Sequence, residues 1–206
     1  MPELHPLVLV ILAYVVGSIP AAYLAGRLHG VDVRKQGSGN LGATNVVRVL
    51  GWKTGLAVFL FDAAKGALPV LLFPGWSDST LDPRILALVY GVAAIAGHVR
   101  PVFLKFGKGG KGVATASGVF IALAPIPMAI ALSVFVLVVL ISGYVSLASL
   151  VSALVLPAVL AFTVGVRSPM FIVSVILVAF VFWTHRANIG RLRRGEEHRF
   201  GRRAAG

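Results

Sequence analysis

Residues 113–166 read VATASGVFIALAPIPMAIALSVFVLVVLISGYVSLASLVSALVLPAVLAFTVGV, 54 positions without one charged side chain. As a single helix rising 1.5 Å per residue this run would extend roughly 80 Å, against about 30 Å of bilayer hydrocarbon. It therefore folds back on itself. Pro125 with Pro127, and the stretch from Ser142 to Ser146, are the natural interruptions. They predict three spans, of which the two within 113–142 are short, with one tilted, broken or only partly inserted.

Outward from this run the same pattern repeats. Residues 4–28 make a first span, with Gly17, Ser18 and Pro20 marking a kink near its middle. Residues 54–73 make a second, carrying Asp62 and Lys65 three apart on one helical face. Charges at membrane depth are costly, so this pair faces the protein interior and reads as a structural ion pair. Residues 85–102 hold a third span and 170–183 a last one, with turns at 74–84 and 165–169. The chain is 58% hydrophobic and 13% charged, whereas a soluble domain averages about 25% charged. An all-α integral membrane protein follows, as one domain over 1–206 with a basic tail from about 193.

Charge placement sets the topology. Segments 27–53, 100–111 and 186–203 hold sixteen of the nineteen Lys and Arg residues. Positive loops face the cytoplasm, so an even number of crossings separates Lys111 from Arg186. Two are too few for so long an apolar stretch; four bring the total to a seven-transmembrane-helix bundle, with the N-terminus periplasmic and the C-terminus cytoplasmic. The net charge of +12 does not point to nucleic acid, because the cations sit in short segments between apolar runs. No cysteine is present, which excludes disulfides and thiolate metal sites. The first apolar run lacks a basic leader and continues to Arg27, too long for a signal-peptide core.

Three polar motifs interrupt the apolar chain, and this topology puts all of them, with the 143–149 turn and its Ser146, on the cytoplasmic side. The first is Ser38-Gly39-Asn40-Leu41-Gly42-Ala43-Thr44-Asn45, followed by Arg48. A helix starting near Ala43 puts Thr44, Asn45 and Arg48 on one face and aims its free N–H groups at an anion held with Ser38. The second is Gly107-Lys108-Gly109-Gly110-Lys111-Gly112. A nucleotide P-loop needs Ser or Thr directly after its lysine, and Gly112 stands there, so an ATPase is a poor reading while a phosphate site remains a good one. The third is Thr184-His185-Arg186-Ala187-Asn188-Ile189-Gly190-Arg191-Leu192, with His185 and Asn188 three apart. His98, before Arg100 and Pro101, is open between a structural and a functional reading. No histidine has an aspartate five positions on, so the His-x4-Asp dyad of common glycerolipid acyltransferases is missing. No serine-hydrolase elbow or His–Cys–Glu metal spacing occurs. The chain is rich in phosphate-binding groups and poor in strong bases or nucleophiles.

SGNLGATN with Arg48, GHVRPVFLKFGKGGKGVAT over 97–115, and HRANIGRL over 185–192 together resemble the bacterial acyl-phosphate:glycerol-3-phosphate acyltransferase family, PlsY. The similarity spans essentially the whole chain, including its length and span order. It implies a multi-pass enzyme of the bacterial inner membrane, with its active site on the cytoplasmic face. The implied reaction moves a fatty acyl group from acyl phosphate to the 1-hydroxyl of sn-glycerol 3-phosphate. The products are lysophosphatidic acid and phosphate, in the first step of phospholipid synthesis, and neither acyl-CoA nor acyl carrier protein is the direct donor.

An acyl phosphate is already an activated anhydride, so neither a cofactor nor a metal is expected. Ser38, Arg48, Lys111 and Ser146 are expected to hold phosphate groups. Asn40, Asn45, His185 and Asn188 are expected to orient the glycerol hydroxyls or the carbonyl. Gly39, Gly42, Thr44, Gly109, Gly110, Gly112 and Arg186 complete the expected binding set. The acceptor proton goes to His185 or to a phosphate oxygen of the donor. The partners are the two substrates and membrane lipid, with no nucleic acid, and nothing demands a second subunit, so a monomer is expected. A transporter of small organic phosphates is the rival reading; it lacks an obvious inverted repeat, and its polar motifs would be off the midplane. An anionic-lipid scaffold is a third, and it leaves the asparagines and paired glycines without a purpose.

Overall fold

A computed structural model describes residues 3–200, in which ten α-helices and two short 3₁₀ turns carry the chain. In order they are α1 Pro6–Ser18, α2 Ala21–Leu28, α3 Ala43–Leu50, α4 Trp52–Leu72, α5 Pro83–Val99, α6 Val113–Leu123, α7 Pro125–Ser142, α8 Val145–Thr163, α9 Pro169–Thr184 and α10 Arg186–Arg193. The chain packs as two compact units, one up to Ala124 and one from Pro125. The basic tail runs on from α10 through Arg194 to Phe200, and its part at 201–206 lies outside the described residues.

Helix starts follow the local chemistry. Proline occupies the first turn of α1, α5 and α9, where its missing N–H is no loss. Before each stands a capping side chain: His5 accepts from Leu7 N–H, Asp82 from Arg84 N–H and Ser168 from Phe171 N–H. α3 and α6 differ. Their N-caps are Gly42 and Gly112, and no side chain caps either one.

Among the described residues, five segments are long and apolar enough to cross a membrane: Pro6–Leu28, Trp52–Trp76, Pro83–Leu104, Pro125–Ser142 and Val145–Thr163. The expected kink in the first falls at Ile19 and Pro20, between α1 and α2. α9 has 16 residues and bends by 59° into α10; the pair counts as a sixth segment if taken together. The breaks at Pro125 and at 143–144 lie where the sequence puts them. The shortness expected for both spans of 113–142 is instead confined to one of them. α7 has a full 18 residues, while α6 has 11, about 16 Å of helix. Large apolar side chains such as Leu60, Leu137, Leu140 and Ile176 point outward, and Phe162 is 93% exposed, as a hydrocarbon solvent allows.

In the first unit, α1 packs on α5 and α4 packs on both α5 and α6. Small residues bring these backbones together. A Cβ on Gly17 would lie 2.0 Å from the Ala94 carbonyl oxygen, and one on Gly118 would lie 1.8 Å from that of Ala63. α6 is enclosed as a result, with Thr115 through Phe120 all buried. A buried ion pair sits among these helices. Lys65 Nζ is 2.7 Å from Asp62 Oδ1 and donates to the Ile19 carbonyl at 2.8 Å, a group exposed by the α1–α2 break. The second unit stacks α8 between α7 and α9, with α10 against α8 and α9.

Candidate functional site

The first motif is a glycine-hinged loop closed onto α3. Gly37 and Gly39 have φ of 58° and 67°, left-handed values that a residue with a side chain resists. Leu41 is the hydrophobic pin, buried with Ala22, Val33, Val46 and Val58. Asn45, also buried, ties the loop from within. Its Oδ1 accepts from Ser38 N–H at 2.8 Å, and its Nδ2 donates to the carbonyls of Val33 at 3.0 Å and Gln36 at 3.2 Å. Both amide hydrogens are thus used on the loop, so Asn45 does not offer a donor to glycerol hydroxyls as expected. A three-residue offset is about 300°, enough to turn Asn45 inward while Arg48 stays exposed and Thr44 half-buried.

Asn40 is different. Its Oδ1 is buried with no hydrogen-bond partner among the described residues, an acceptor that suits a hydroxyl or ammonium donor. Ser38 is exposed, and Gly42 starts α3 with its first N–H groups uncapped. Arg34 is held elsewhere, in a two-point contact with Asp32 at 2.9 and 2.8 Å and over the Tyr23 ring. Those hydrogen bonds from Arg34 hold the Asp32 carboxyl down to about 2.

The second motif is a loop laid along the end of α5. Gly109 N–H donates to the Val99 carbonyl and Gly110 N–H to that of His98. Gly112, at φ 85°, then turns the chain into α6, whose first turn follows directly after Lys111. Gly109, Gly110 and Gly112 are buried, and Lys111 is half-buried. Beneath the loop lies His98, its Nδ1 3.5 Å from Asp62 Oδ1. The sequence leaves His98 ambiguous; its place under the loop comes from the α4–α5 packing.

The third motif belongs to the second unit. His185 ends α9, and its Nδ1 lies 2.9 Å from the Val181 carbonyl oxygen. Asn188, one turn into α10, donates to Glu197 Oε1 at 2.7 Å. Ser146, at the start of α8, donates to the same oxygen at 3.0 Å, and Arg191 Nε donates to Oε2 at 2.7 Å. The Ser146 hydroxyl proton thus goes to a carboxylate, where a phosphate was expected. Arg186 also departs from expectation: its guanidinium lies over Trp183 and donates to the Trp183 carbonyl.

Glu197 is the residue the sequence reading passes over, since it lies in an arginine-rich tail. Burial raises its pKa, but hydrogen bonds from Asn188, Arg191 and Ser146 outweigh that and hold the carboxyl below its ordinary range. The available signal is scarcity: the chain has seven acidic residues in all.

Comparison with known proteins gives one answer. A family model described as glycerol-3-phosphate acyltransferase matches residues 7–195. The glycerol-3-phosphate acyltransferase of Trichlorobacter lovleyi is 47% identical over 189 residues, covering 91% of this chain and 94% of that protein. The one from Synechococcus sp. is 48% identical, covering 96% of each. Among solved structures, PlsY, an integral membrane glycerol 3-phosphate acyltransferase, superposes in its glycerol 3-phosphate form with a TM-score of 0.86 at 41% identity, over 95% of this chain and 96% of that one. Its lysophosphatidic acid form gives a TM-score of 0.83, also at 41% identity, over 95% of both chains.

Proposed function

Because the chain belongs to the glycerol-3-phosphate acyltransferase family, we propose that it transfers a fatty acyl group from acyl phosphate to the 1-hydroxyl of sn-glycerol 3-phosphate, giving lysophosphatidic acid and phosphate. The observation that carries this is the likeness over 95% of the chain to a relative captured with glycerol 3-phosphate and, separately, with lysophosphatidic acid. One is a substrate of the proposed reaction and the other its product. The shared enzyme name of the relatives leaves the transporter reading without support.

In this reaction the acceptor hydroxyl oxygen bonds to the acyl carbon, the carbon–oxygen bond to phosphate breaks, and phosphate departs. The donor is an activated anhydride, so placement and charge stabilisation supply the acceleration. Ser38, Arg48 and Lys111 bind phosphate, with the uncapped first turns of α3 and α6 adding N–H groups. Asn40 Oδ1 accepts from a glycerol hydroxyl. In the second unit, taken by itself, His185 offers Nε2 as a base for a hydroxyl proton, and Asn188, positioned by Glu197, offers an amide to a carbonyl.

Seven crossings, a periplasmic N-terminus and an inner-membrane location with cytoplasmic loops extend the same reading. Charge parity supports them. α6, at about 16 Å, is too short for open hydrocarbon. It is shielded by α4 and α5, so it need not match the lipid thickness. The enzyme works as a monomer in this proposal.

The test uses purified protein in detergent or lipid mesophase with synthetic palmitoyl phosphate. Phosphate release that depends on added glycerol 3-phosphate is the expected result. A folded protein that releases none is not this enzyme.

A further inference from the structure

The second motif's central glycine has an unusual neighbour. A Cβ built on Gly110 would lie 2.1 Å from His98 Nε2, 2.6 Å from His98 Cε1 and 2.9 Å from the Leu41 carbonyl oxygen. Such distances are well inside van der Waals contact, so only glycine fits between the imidazole and the first motif's loop. The ring has little freedom to move away. On its other edge Nδ1 faces Asp62, which is held by Lys65, which in turn holds the Ile19 carbonyl. Asp62, Lys65 and His98 are 2%, 3% and 6% exposed, so the charges of Asp62 and Lys65 are retained only by their partners. The chain of contacts runs from the break between α1 and α2 through α4 and α5 to the underside of the glycine loop.

We propose that His98, braced by the Asp62–Lys65 pair, is the positioning residue of the 107–112 loop, and that Gly110 is the point where this brace fixes both polar loops of the first unit against each other. His98 touches no substrate in this arrangement. It sets where the loop backbone and Lys111 stand, and the Leu41 carbonyl transmits the same constraint to the 38–42 loop. The backbone bond from Gly110 N–H to the His98 carbonyl adds a second attachment to the same residue. The kinetic part of this inference rests on the acyltransferase reading above; the packing part does not.

A size exchange tests it. Gly110→Ala, His98→Asn and the double variant are compared with wild type by steady-state kinetics in both substrates and by melting temperature in detergent. Asparagine keeps an N–H where Nδ1 meets Asp62 and removes the ring edge that faces Gly110. Gly110→Ala is expected to raise KM for one phosphate substrate at least tenfold, with the other KM and kcat changed less than threefold. Adding His98→Asn is expected to recover at least threefold of that loss. A double variant no better than Gly110→Ala alone overturns the proposal, as does a Gly110→Ala enzyme with wild-type KM values. If Gly110→Ala does not fold, the same comparison is read from yield and melting temperature. Restoration by His98→Asn then supports the brace, and its absence overturns it. Wild-type protein without acyl transfer would sink the acyltransferase reading instead, while the melting temperatures would still judge the brace.

Discussion

His185 and Val181 are joined by a hydrogen bond across the last turn of α9: the imidazole Nδ1 donates to the carbonyl oxygen at 2.9 Å. A carbonyl can only accept, so Nδ1 carries the proton and Nε2 is the basic atom of the neutral ring. The ring is also buried, at 3% exposure, which fixes its direction. His185→Gln removes the proposed base and keeps much of the volume. Under saturating substrates its kcat is expected to fall by about 10² or more, the usual value of a positioned general base. A loss under tenfold would hand the proton to a phosphate oxygen of the donor.

Glu197 makes stability depend on pH in a defined direction. Its folded pKa is depressed, so the unfolded chain binds the extra proton first. The contribution is complete above the ordinary glutamate value of about 4.3 and declines as pH falls from there through the folded value. Glu197→Gln lacks this charge at every pH. At neutral pH it is expected to melt below wild type, with a cost of about 1.5–3 kcal/mol for hydrogen bonds to a charged acceptor. The difference should shrink as both are acidified towards pH 3. A pH-independent difference would mean that Glu197 is not an ionised acceptor.

These two residues mark where the sequence is readable and where it is not. His185 ends an apolar run inside a motif, and its position follows from hydropathy and spacing. Glu197 acts by reaching back to Ser146, 51 residues earlier, and no local pattern encodes that contact. The long spans are legible because hydropathy records them directly. The enclosure of α6 is not, since an apolar side chain reads the same whether it meets lipid or another helix. Likewise the glycines announce a loop, but the inward turn of Asn45 depends on the loop's own closure.

Asn45 supplies three hydrogen bonds to the first motif, one accepted and two donated. Asn45→Leu keeps the branching and the number of heavy atoms but leaves Ser38 N–H and two carbonyls to find other partners. At about 0.5–1.5 kcal/mol net for each bond, a loss of roughly 2–4 kcal/mol is expected. The consequence for activity is indirect, through a displaced Ser38, so both melting temperature and kcat/KM should fall. A variant with normal stability and lost activity would return Asn45 to direct substrate contact.

Arg48 calls for the opposite outcome. It lies on the exposed side of α3, in the turn after Asn45, and the buried cluster of Val33, Leu41 and Val46 does not depend on it. Removing it should cost little stability, since exposed charges contribute about 0–1 kcal/mol. Its proposed role in the reaction is larger, because a guanidinium neutralises phosphate through two parallel N–H bonds that lysine reproduces only as a point charge. Arg48→Ala is expected to lose acyl transfer by at least about 10² while keeping the wild-type melting temperature. Arg48→Lys should recover part of that loss through charge alone. An Arg48→Ala protein that is folded and fully active would move the phosphate site away from the 37–48 loop, and with it the reason for that loop's glycines.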